Sequence, residues 1–262
     1  MGNPIVEVDG MINICILRIE GTNCEQETYD AFLELGAQPE LVHLKELTPQ
    51  NLFDYQCLMI PGGFSSGDYV RAGAIFAARI RSNLISALRE YVDTGYPVGG
   101  ICNGFQILVE LGLLPRVSEH PEACLATNDS ARFECRPTLL KLENHCAFTQ
   151  KMDIGSVYEI PSAHAEGKFV SPLTEELMGN GQVIFRYCNP EGEYAGYPWN
   201  PNGSQYNIAG IANEQGNVFG VMPHPERAFT IYQNQDWTRR TSTDGAHGRL
   251  VFESVLEYAR RL

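Results

Sequence analysis

The sequence contains Gly100-Ile101-Cys102-Asn103-Gly104, a G-x-C-x-G run that separates an apolar stretch, residues 96–101, from a helical pattern, residues 104–111. This order predicts a strand, a tight turn and a helix, which is the layout of a nucleophile elbow. The glycines permit a sharp turn, and the helix start favours a thiolate at Cys102. A core cysteine in a glycine-rich turn would give the same local pattern, so the run alone leaves both interpretations open.

A histidine and a glutamate far downstream favour the catalytic interpretation. They stand in Pro223-His224-Pro225-Glu226. Each proline biases the residue before it towards extended backbone, in which side chains two positions apart point to the same side. We therefore expect Glu226 to orient the imidazole of His224, with the other ring nitrogen facing Cys102. The three residues together predict acyl transfer through a thioester.

A second glycine turn provides candidate groups for stabilising an oxyanion. Gly62 and Gly63 follow the apolar run 57–60, and their backbone N–H groups have no side chain in front of them. With the N–H of Asn103, they predict an oxyanion hole beside the nucleophile. An ordinary glycine turn after a strand is the alternative interpretation.

Two further polar residues are candidates for lining the site. Gln106 lies one helical turn after Cys102, so it either binds a polar end of the substrate or faces solvent. His164 stands at the end of a predicted strand and either lines a pocket or makes a structural hydrogen bond. The sequence has no metal-ligand spacing and no glycine-rich nucleotide motif, so we predict no metal and no ATP site in this chain.

The composition restricts the class of protein. The chain has 262 residues, of which 44% are hydrophobic, and a net charge of −13, which makes nucleic acid an unexpected partner. Its eight cysteines include no C-x-x-C pair, and the N-terminus does not resemble a signal peptide. We expect a cytoplasmic protein with reduced thiols, seven of them in buried or partly buried positions. We also expect one domain over residues 1–262, with residues 1–10 as an N-terminal extension.

Strand and helix patterns alternate in the first half of the chain. The expected strands are 12–17, 40–44, 57–60 and 96–101, and the expected helices are 24–35, 48–53, 72–94 and 104–111. This alternation predicts an α/β fold with a mostly parallel central sheet and helices on both faces. Ligands of such sheets bind at the carboxyl ends of the strands, where the Gly62 turn and Cys102 both fall.

The second half predicts a smaller, more antiparallel portion. The expected strands there are 132–145, 157–164, 182–187, 207–212 and 218–222, followed by a closing helix at 247–262. The last two strands form a hairpin around residues 215–217. Residues 22 or 23 are expected to cap the first helix, and Gly36 to end it.

These motifs resemble those of the class I glutamine amidotransferases, which share the cysteine elbow and the His-Pro-Glu group. The resemblance covers nearly the whole chain and implies a flavodoxin-like α/β fold. The other runs that carry it are residues 21–24, 61–69, 71–74, 132–136, 163–167 and 200–204. Residues 63–69 and 200–204 are the more specific to one branch, whose members supply ammonia to a synthetase of purine biosynthesis.

The resemblance implies that Cys102 attacks the side-chain amide of glutamine while the N–H groups of Gly63 and Asn103 stabilise the oxyanion. His224, oriented by Glu226, would protonate the departing ammonia and then activate water. It also implies two protein partners, an ATP- and Mg²⁺-dependent synthetase subunit and a small bridging subunit, and no cofactor in this chain.

Departures from the family pattern are small and leave the proposed triad intact. Ser66 stands where tyrosine is usual, and Ala165 where glycine is common. Extra residues occur near 190–200 and 236–246. Three alternatives remain open from the sequence: an amidotransferase that serves another acceptor, a cysteine hydrolase of another amide, and a non-catalytic binding module of the same fold.

Overall fold

The computed structural model describes residues 11–239 and 246–262, which form thirteen strands and six α-helices. The strands are β1 (Asn13–Arg18), β2 (Gln38–His43), β3 (Cys57–Ile60), β4 (Val98–Ile101), β5 (Cys124–Thr127), β6 (Glu134–Arg136), β7 (Leu139–Leu142), β8 (Val157–Glu159), β9 (Ser162–His164), β10 (Glu166–Val170), β11 (Val183–Cys188), β12 (Ile208–Ala212) and β13 (Val218–Val221). The helices are α1 (Glu25–Glu34), α2 (Ala74–Asn83), α3 (Ile85–Asp93), α4 (Asn103–Glu110), α5 (Thr174–Gly179) and α6 (Arg249–Ala259). The expected extension 1–10 and most of the expected loop 236–246 lie outside the described residues.

A nine-stranded sheet in the order β2-β1-β3-β4-β13-β12-β11-β7-β8 organises the chain. The first five strands of this order, β2, β1, β3, β4 and β13, pair in parallel. The remaining pairs, from β13–β12 to β7–β8, are antiparallel. The chain adds β2 on one side of β1 and then β3 on the other side. Because βαβ connections are right-handed, this change of side places helices on both faces of the sheet. The predicted α/β class is confirmed, and the antiparallel portion continues the same sheet. Two-stranded sheets, β5–β10 and β6–β9, lie beside it; the single-domain assignment stays a prediction.

The parallel strands form the centre of the core. Every residue of β3, β4 and β13 is buried, as are the four central residues of β1. Strands covered on both faces have continuous apolar runs, which is why the sequence pattern located them correctly. No helix within the described part of the chain is long and apolar enough to cross a membrane.

Several predicted elements differ in the structure. The helix expected over 72–94 is two helices, α2 and α3, which meet at buried Leu84 with φ −121°. The predicted cap of α1 at Thr22 or Asn23 is wrong: Cys24 holds the N-cap position, and the Thr22 hydroxyl accepts a hydrogen bond from Ile19 N–H instead. Gly36 follows α1 with φ +81°, as its role as a stop requires.

Prolines explain two wrong strand assignments. The strand expected over 132–145 is divided into β6 and β7, with Pro137 between them, and that over 157–164 into β8 and β9, with Pro161 between them. Proline cannot donate to a strand ladder, so it ends the pairing. Strands β5 and β10 and helix α5 were not predicted, because they are too short to show a clear period.

Cys124 and Cys135 are exposed, which corrects their expected burial.

Close packing of α4 on the sheet leads to a stability prediction. A Cβ atom on Gly104 would lie 1.9 Å from the carbonyl oxygen of Ile60. Because the obstacle is backbone, Gly104→Ala should destabilise the fold by about 3 kcal/mol, as overpacking does. Urea unfolding measures this, with Gly179→Ala as the control, because Gly179 has open space around the added atom. Equal midpoints for the two variants would contradict the packing described.

Candidate active site

Three neighbouring parallel strands end at the same edge of the sheet and carry the predicted site residues there. Strand β3 ends at Ile60, just before the Gly62 turn, β4 ends just before Cys102, and β13 ends three residues before His224. The backbone N–H of Cys102 donates to the carbonyl of Val221 over 2.8 Å, which fixes Cys102 against β13. The structure therefore brings together residues that are more than a hundred positions apart in sequence.

Cys102 has the backbone geometry of a nucleophile elbow. Its φ is 51° and its ψ is −104°, a conformation that costs a non-glycine residue about 1–3 kcal/mol. Helix α4 begins at the next residue, Asn103, so its positive end lies beside the sulfur. Sγ lies 3.7 Å from the carbonyl oxygen of Ala163. The elbow predicted from the G-x-C-x-G run is confirmed.

His224 and Glu226 form the predicted pair. Nδ1 of His224 and Oε1 of Glu226 are 2.5 Å apart, and both side chains are buried. The backbone reaches this contact by a route that was not expected. His224 is extended, with φ −104° and ψ 91°, but Glu226 lies in a 3₁₀ turn, Pro225–Arg227. The carboxylate therefore fixes the ring with Nδ1 towards itself and Nε2 away from it.

The electrostatic environment favours a protonated His224. Burial alone lowers the pKa of His224, but the Glu226 carboxylate and the nearby Cys102 sulfur outweigh it, so the pKa lies well above its usual value. Oε2 of Glu226 and Nε2 of His224 make no hydrogen bond within the described part of the chain. The site can thus hold an imidazolium beside the sulfur, with Nε2 available for proton transfer.

The Gly62 turn packs directly against the side chains of His224 and Cys102. A Cβ atom on Gly62 would lie 2.7 Å from Cε1 of His224 and 3.4 Å from Cβ of Cys102. The carbonyl oxygen of Gly62 accepts hydrogen bonds from the N–H groups of Asn23 and Cys24, each at 3.2 Å. Only glycine can occupy this position, because any larger side chain would displace the imidazole.

The predicted oxyanion groups border the same space. Gly63, with φ 142°, lines the pocket that contains Cys102. The N–H of Asn103 is the first of α4, so the helix itself provides no acceptor for it. The structure places both groups beside Cys102, and their role as oxyanion donors stays a prediction.

Gln106 and His164 both line this pocket. Gln106 is buried, which rules out the solvent-facing alternative. Its Nε2 donates to the carbonyl of Glu166, and its Oε1 accepts from Nδ2 of Asn103 at 2.9 Å. One hydrogen and one lone pair of its amide therefore remain for a ligand. His164 combines both proposed roles, since its Nδ1 also lies 3.2 Å from Oδ1 of Asn128.

Sequence reasoning missed Cys24, which adjoins the His–Glu pair. Its Sγ lies 3.9 Å from Nδ1 of His224 and accepts a hydrogen bond from Arg227 at 3.1 Å. Burial raises the pKa of Cys24, so this sulfur remains a thiol at neutral pH. Only its place in the run 21–24 pointed to it, because a contact between positions 24 and 224 leaves no trace in local spacing.

Cys24, His224 and Glu226 are also the one compact group of potential metal ligands within the described residues, with donor atoms inside 4.8 Å of one another. The hydrogen bond between Nδ1 and Oε1 already occupies the space between two of these atoms. The guanidinium of Arg227 beside Cys24 would repel a cation. We therefore assign no metal to this group.

Sequence reasoning also gave no role to Asp68, which lines the pocket opposite Cys102. Burial, together with the charge of Glu166, raises the pKa of Asp68 to about 6.

A larger cavity lies elsewhere, beside the ends of β1 and β2, where His43, Lys45 and Arg79 line it. None of the site residues predicted from the sequence reaches that cavity.

The fold and the group formed by Cys102, His224 and Glu226 are those that the resemblance to the glutamine amidotransferases led us to expect. Residues 11–259 match the CobB/CobQ-like glutamine amidotransferase domain, and the chain belongs to this family. The resemblance seen in the sequence is confirmed.

Individual relatives narrow the comparison to one subunit. The chain is 51% identical to phosphoribosylformylglycinamidine synthase subunit PurQ of Archaeoglobus fulgidus, over 96% of this chain and 98% of that protein. It is 45% identical to the same subunit of Picrophilus torridus, over 90% and 94%. Among solved structures, it is similar to a chain in the structure of PurLQS from Thermotoga maritima, with a TM-score of 0.74, 34% identity, and coverage of 95% of this chain and 99% of that one.

Proposed function

We propose that this chain is the glutaminase subunit of a phosphoribosylformylglycinamidine synthase in purine biosynthesis. It hydrolyses glutamine to glutamate and ammonia, and a separate synthetase subunit uses the ammonia. The observation that carries the proposal is the buried contact of His224 with Glu226 beside the strained Cys102 elbow. Similarity to the PurQ subunits supports the choice of acceptor, formylglycinamide ribonucleotide, which the synthetase converts to the amidine.

The acylation half-reaction begins from a thiolate at Cys102 and an imidazolium at His224. The sulfur attacks the carboxamide carbon of glutamine, and the carbonyl oxygen becomes an oxyanion that accepts hydrogen bonds from the N–H groups of Gly63 and Asn103. When this intermediate collapses, the C–N bond breaks and Nε2 of His224 gives its proton to the leaving nitrogen. The products are ammonia, a glutamyl thioester and a neutral imidazole.

Hydrolysis of the thioester restores the starting state. Neutral His224 removes a proton from a water molecule, whose oxygen attacks the thioester carbon. The C–S bond then breaks, glutamate leaves, and Cys102 is a thiolate again beside the imidazolium. Glu226 holds the ring in one tautomer and stabilises its positive charge through both half-reactions.

The proposed partners supply the chemistry that this chain lacks. The synthetase subunit binds ATP, Mg²⁺ and the nucleotide acceptor, and a small bridging subunit joins the two; this chain contributes no cofactor. We place the complex in the cytoplasm. A non-catalytic module would not require a buried His224–Glu226 pair beside a strained Cys102 elbow, which disfavours that alternative.

Glutamate release from glutamine tests the proposal. The purified chain should be slow alone, and adding the two partner subunits with formylglycinamide ribonucleotide and ATP should stimulate it by roughly tenfold or more, because docking completes such sites. Stimulation only by a different synthetase would point to another acceptor. No release under any condition, with reduced Cys102, would support the non-catalytic module.

A further inference from the structure

We propose that Cys24 is a positioning residue for the proposed glutaminase reaction: its sulfur holds the guanidinium of Arg227 and keeps it from pairing with Glu226. The carboxylate of Glu226 then stays directed at His224. This inference rests on the proposed function, because it concerns the imidazolium that gives its proton to the leaving nitrogen. Cys24 itself is assigned no step in the reaction.

The distance between Arg227 and Glu226 is unusual for two opposite charges on neighbouring residues. Nε of Arg227 lies 3.9 Å from Oε1 of Glu226, which is too long for a hydrogen bond. Oε2 of Glu226 is buried and has no hydrogen-bond partner within the described part of the chain. An arginine next to a carboxylate frequently pairs with both of its oxygens. Here another group holds the guanidinium away from them.

That group is the sulfur of Cys24. Nη2 of Arg227 donates a hydrogen bond to Sγ over 3.1 Å. Backbone contacts fix Cys24 without any help from Arg227. The N–H of Cys24 donates to the carbonyl of Gly62 at 3.2 Å, and its own carbonyl accepts from the hydroxyl of Thr28 at 2.7 Å. The sulfur is therefore an acceptor with a fixed position, to which the more exposed arginine side chain adjusts.

The place of the guanidinium matters for the charge on His224. Burial lowers the pKa of His224, and among the groups that raise it the Glu226 carboxylate has the largest effect. A guanidinium bound directly to Glu226 would compensate this negative charge and would repel the imidazolium. Sγ of Cys24 also lies 3.9 Å from Nδ1 of His224 and makes a smaller contribution that raises the same pKa.

The other groups around His224 do not replace the Glu226 charge. The Cys102 sulfur, from the elbow, raises the pKa of His224 less than Glu226 does. His164, from β9, is neutral because burial lowers its pKa to about 3. The Gly62 turn places only backbone against the ring. Support of the imidazolium therefore comes mainly from Glu226, and it depends on where Arg227 is held.

A space-filling role for Cys24 predicts different results. Alanine would then leave a small cavity and lower the free energy of unfolding, but it would not change the charges of the site. Serine would be no better than alanine, because a hydroxyl makes this buried position more polar. In the positioning role, the serine oxygen restores an acceptor for Nη2 of Arg227, whereas alanine leaves the guanidinium free to move onto Glu226.

The test follows Cys102 in the complex with the partner subunits. In Cys24→Ala, alkylation of Cys102 by iodoacetamide at neutral pH, followed by mass spectrometry, should slow roughly threefold or more, because a less stable imidazolium leaves less thiolate. Cys24→Ser should recover most of this loss. Cys57→Ala is the matched control, because Cys57 is also a buried thiol and begins β3, at the opposite edge of the sheet.

The pH profile of glutamate release gives a second readout. The imidazolium is lost as pH rises through the pKa of His224, so a lower pKa in Cys24→Ala should move the alkaline limit of kcat/KM down by roughly half a pH unit or more. KM for glutamine should stay within about twofold, because Cys24 is not among the described residues that line the Cys102 pocket, and ground-state binding is unchanged.

A double variant shows whether Cys24 acts through Arg227. Arg227→Met removes the guanidinium from a side chain that is 40% exposed. In this background, Cys24→Ala should change the alkylation rate by less than about twofold. Equal effects in both backgrounds, or a Cys24→Ser variant no better than Cys24→Ala, would overturn the proposal. A wild-type complex that releases no glutamate would contradict the proposed function instead, and Cys102 alkylation would still decide the role of Cys24.

Discussion

Replacing Cys102 with alanine should abolish glutamine-dependent synthesis by the complex while synthesis from free ammonia continues. Without the sulfur no thioester forms, and loss of a catalytic nucleophile costs about 10⁴-fold or more. The synthetase chemistry needs only ammonia, which can enter from solution. Alanine is smaller than cysteine, so it fits the buried elbow without a clash.

Formation of the amidine should be followed with glutamine and, separately, with an ammonium salt, and glutamate release recorded in parallel. Cys124→Ala is the matched control, because Cys124 is an exposed thiol and should leave both activities unchanged. If the ammonia-dependent activity of the Cys102→Ala complex fell as far as the glutamine-dependent activity, the division of labour between subunits would be wrong.

The parts of the site that sequence predicted are those with a local signature. The elbow at Cys102 has its glycines within two residues, and His224 and Glu226 are two residues apart. The parallel strands β1, β3 and β4 also have a local signature in the sequence, because full burial makes each of them a continuous apolar run. Parallel packing then brings the carboxyl ends of β3 and β4 together, so the meeting of the Gly62 turn and Cys102 followed from the predicted topology. The parallel pairing of β13 with β4, which brings His224 to the same edge, was not predicted, because residues 218–222 were expected in the antiparallel portion.

The parts that sequence did not predict depend on tertiary contacts. Cys24 meets His224 across 200 positions, and its helix could equally have presented it to the core. The environment of Asp68 depends on Glu166, which comes from a strand too short to show a period. Both residues stand in runs that carried the family resemblance, yet no spacing rule states what they touch.

Glu226→Gln should reduce glutamine hydrolysis by about 10²–10⁴-fold while the fold and the ammonia-dependent activity of the complex are retained. The side-chain amide oxygen introduced at position 226 can still accept a hydrogen bond from Nδ1 of His224, so the ring stays in place. The substitution removes the negative charge of the carboxylate. That charge raises the pKa of His224 more than any other single cause, whereas burial lowers it. Without this charge the pKa of His224 falls, so the imidazolium is lost at a lower pH than in the wild type.

The pH profile separates this electrostatic role from a merely structural one. Activity requires the imidazolium–thiolate pair, which is lost when pH rises through the pKa of His224. A lower pKa in Glu226→Gln should therefore move the alkaline limit of kcat/KM to lower pH, whereas Glu214→Gln, at an exposed position between β12 and β13, should leave it unchanged. An unshifted alkaline limit with nearly native kcat would mean that the His224–Glu226 contact only supports the fold.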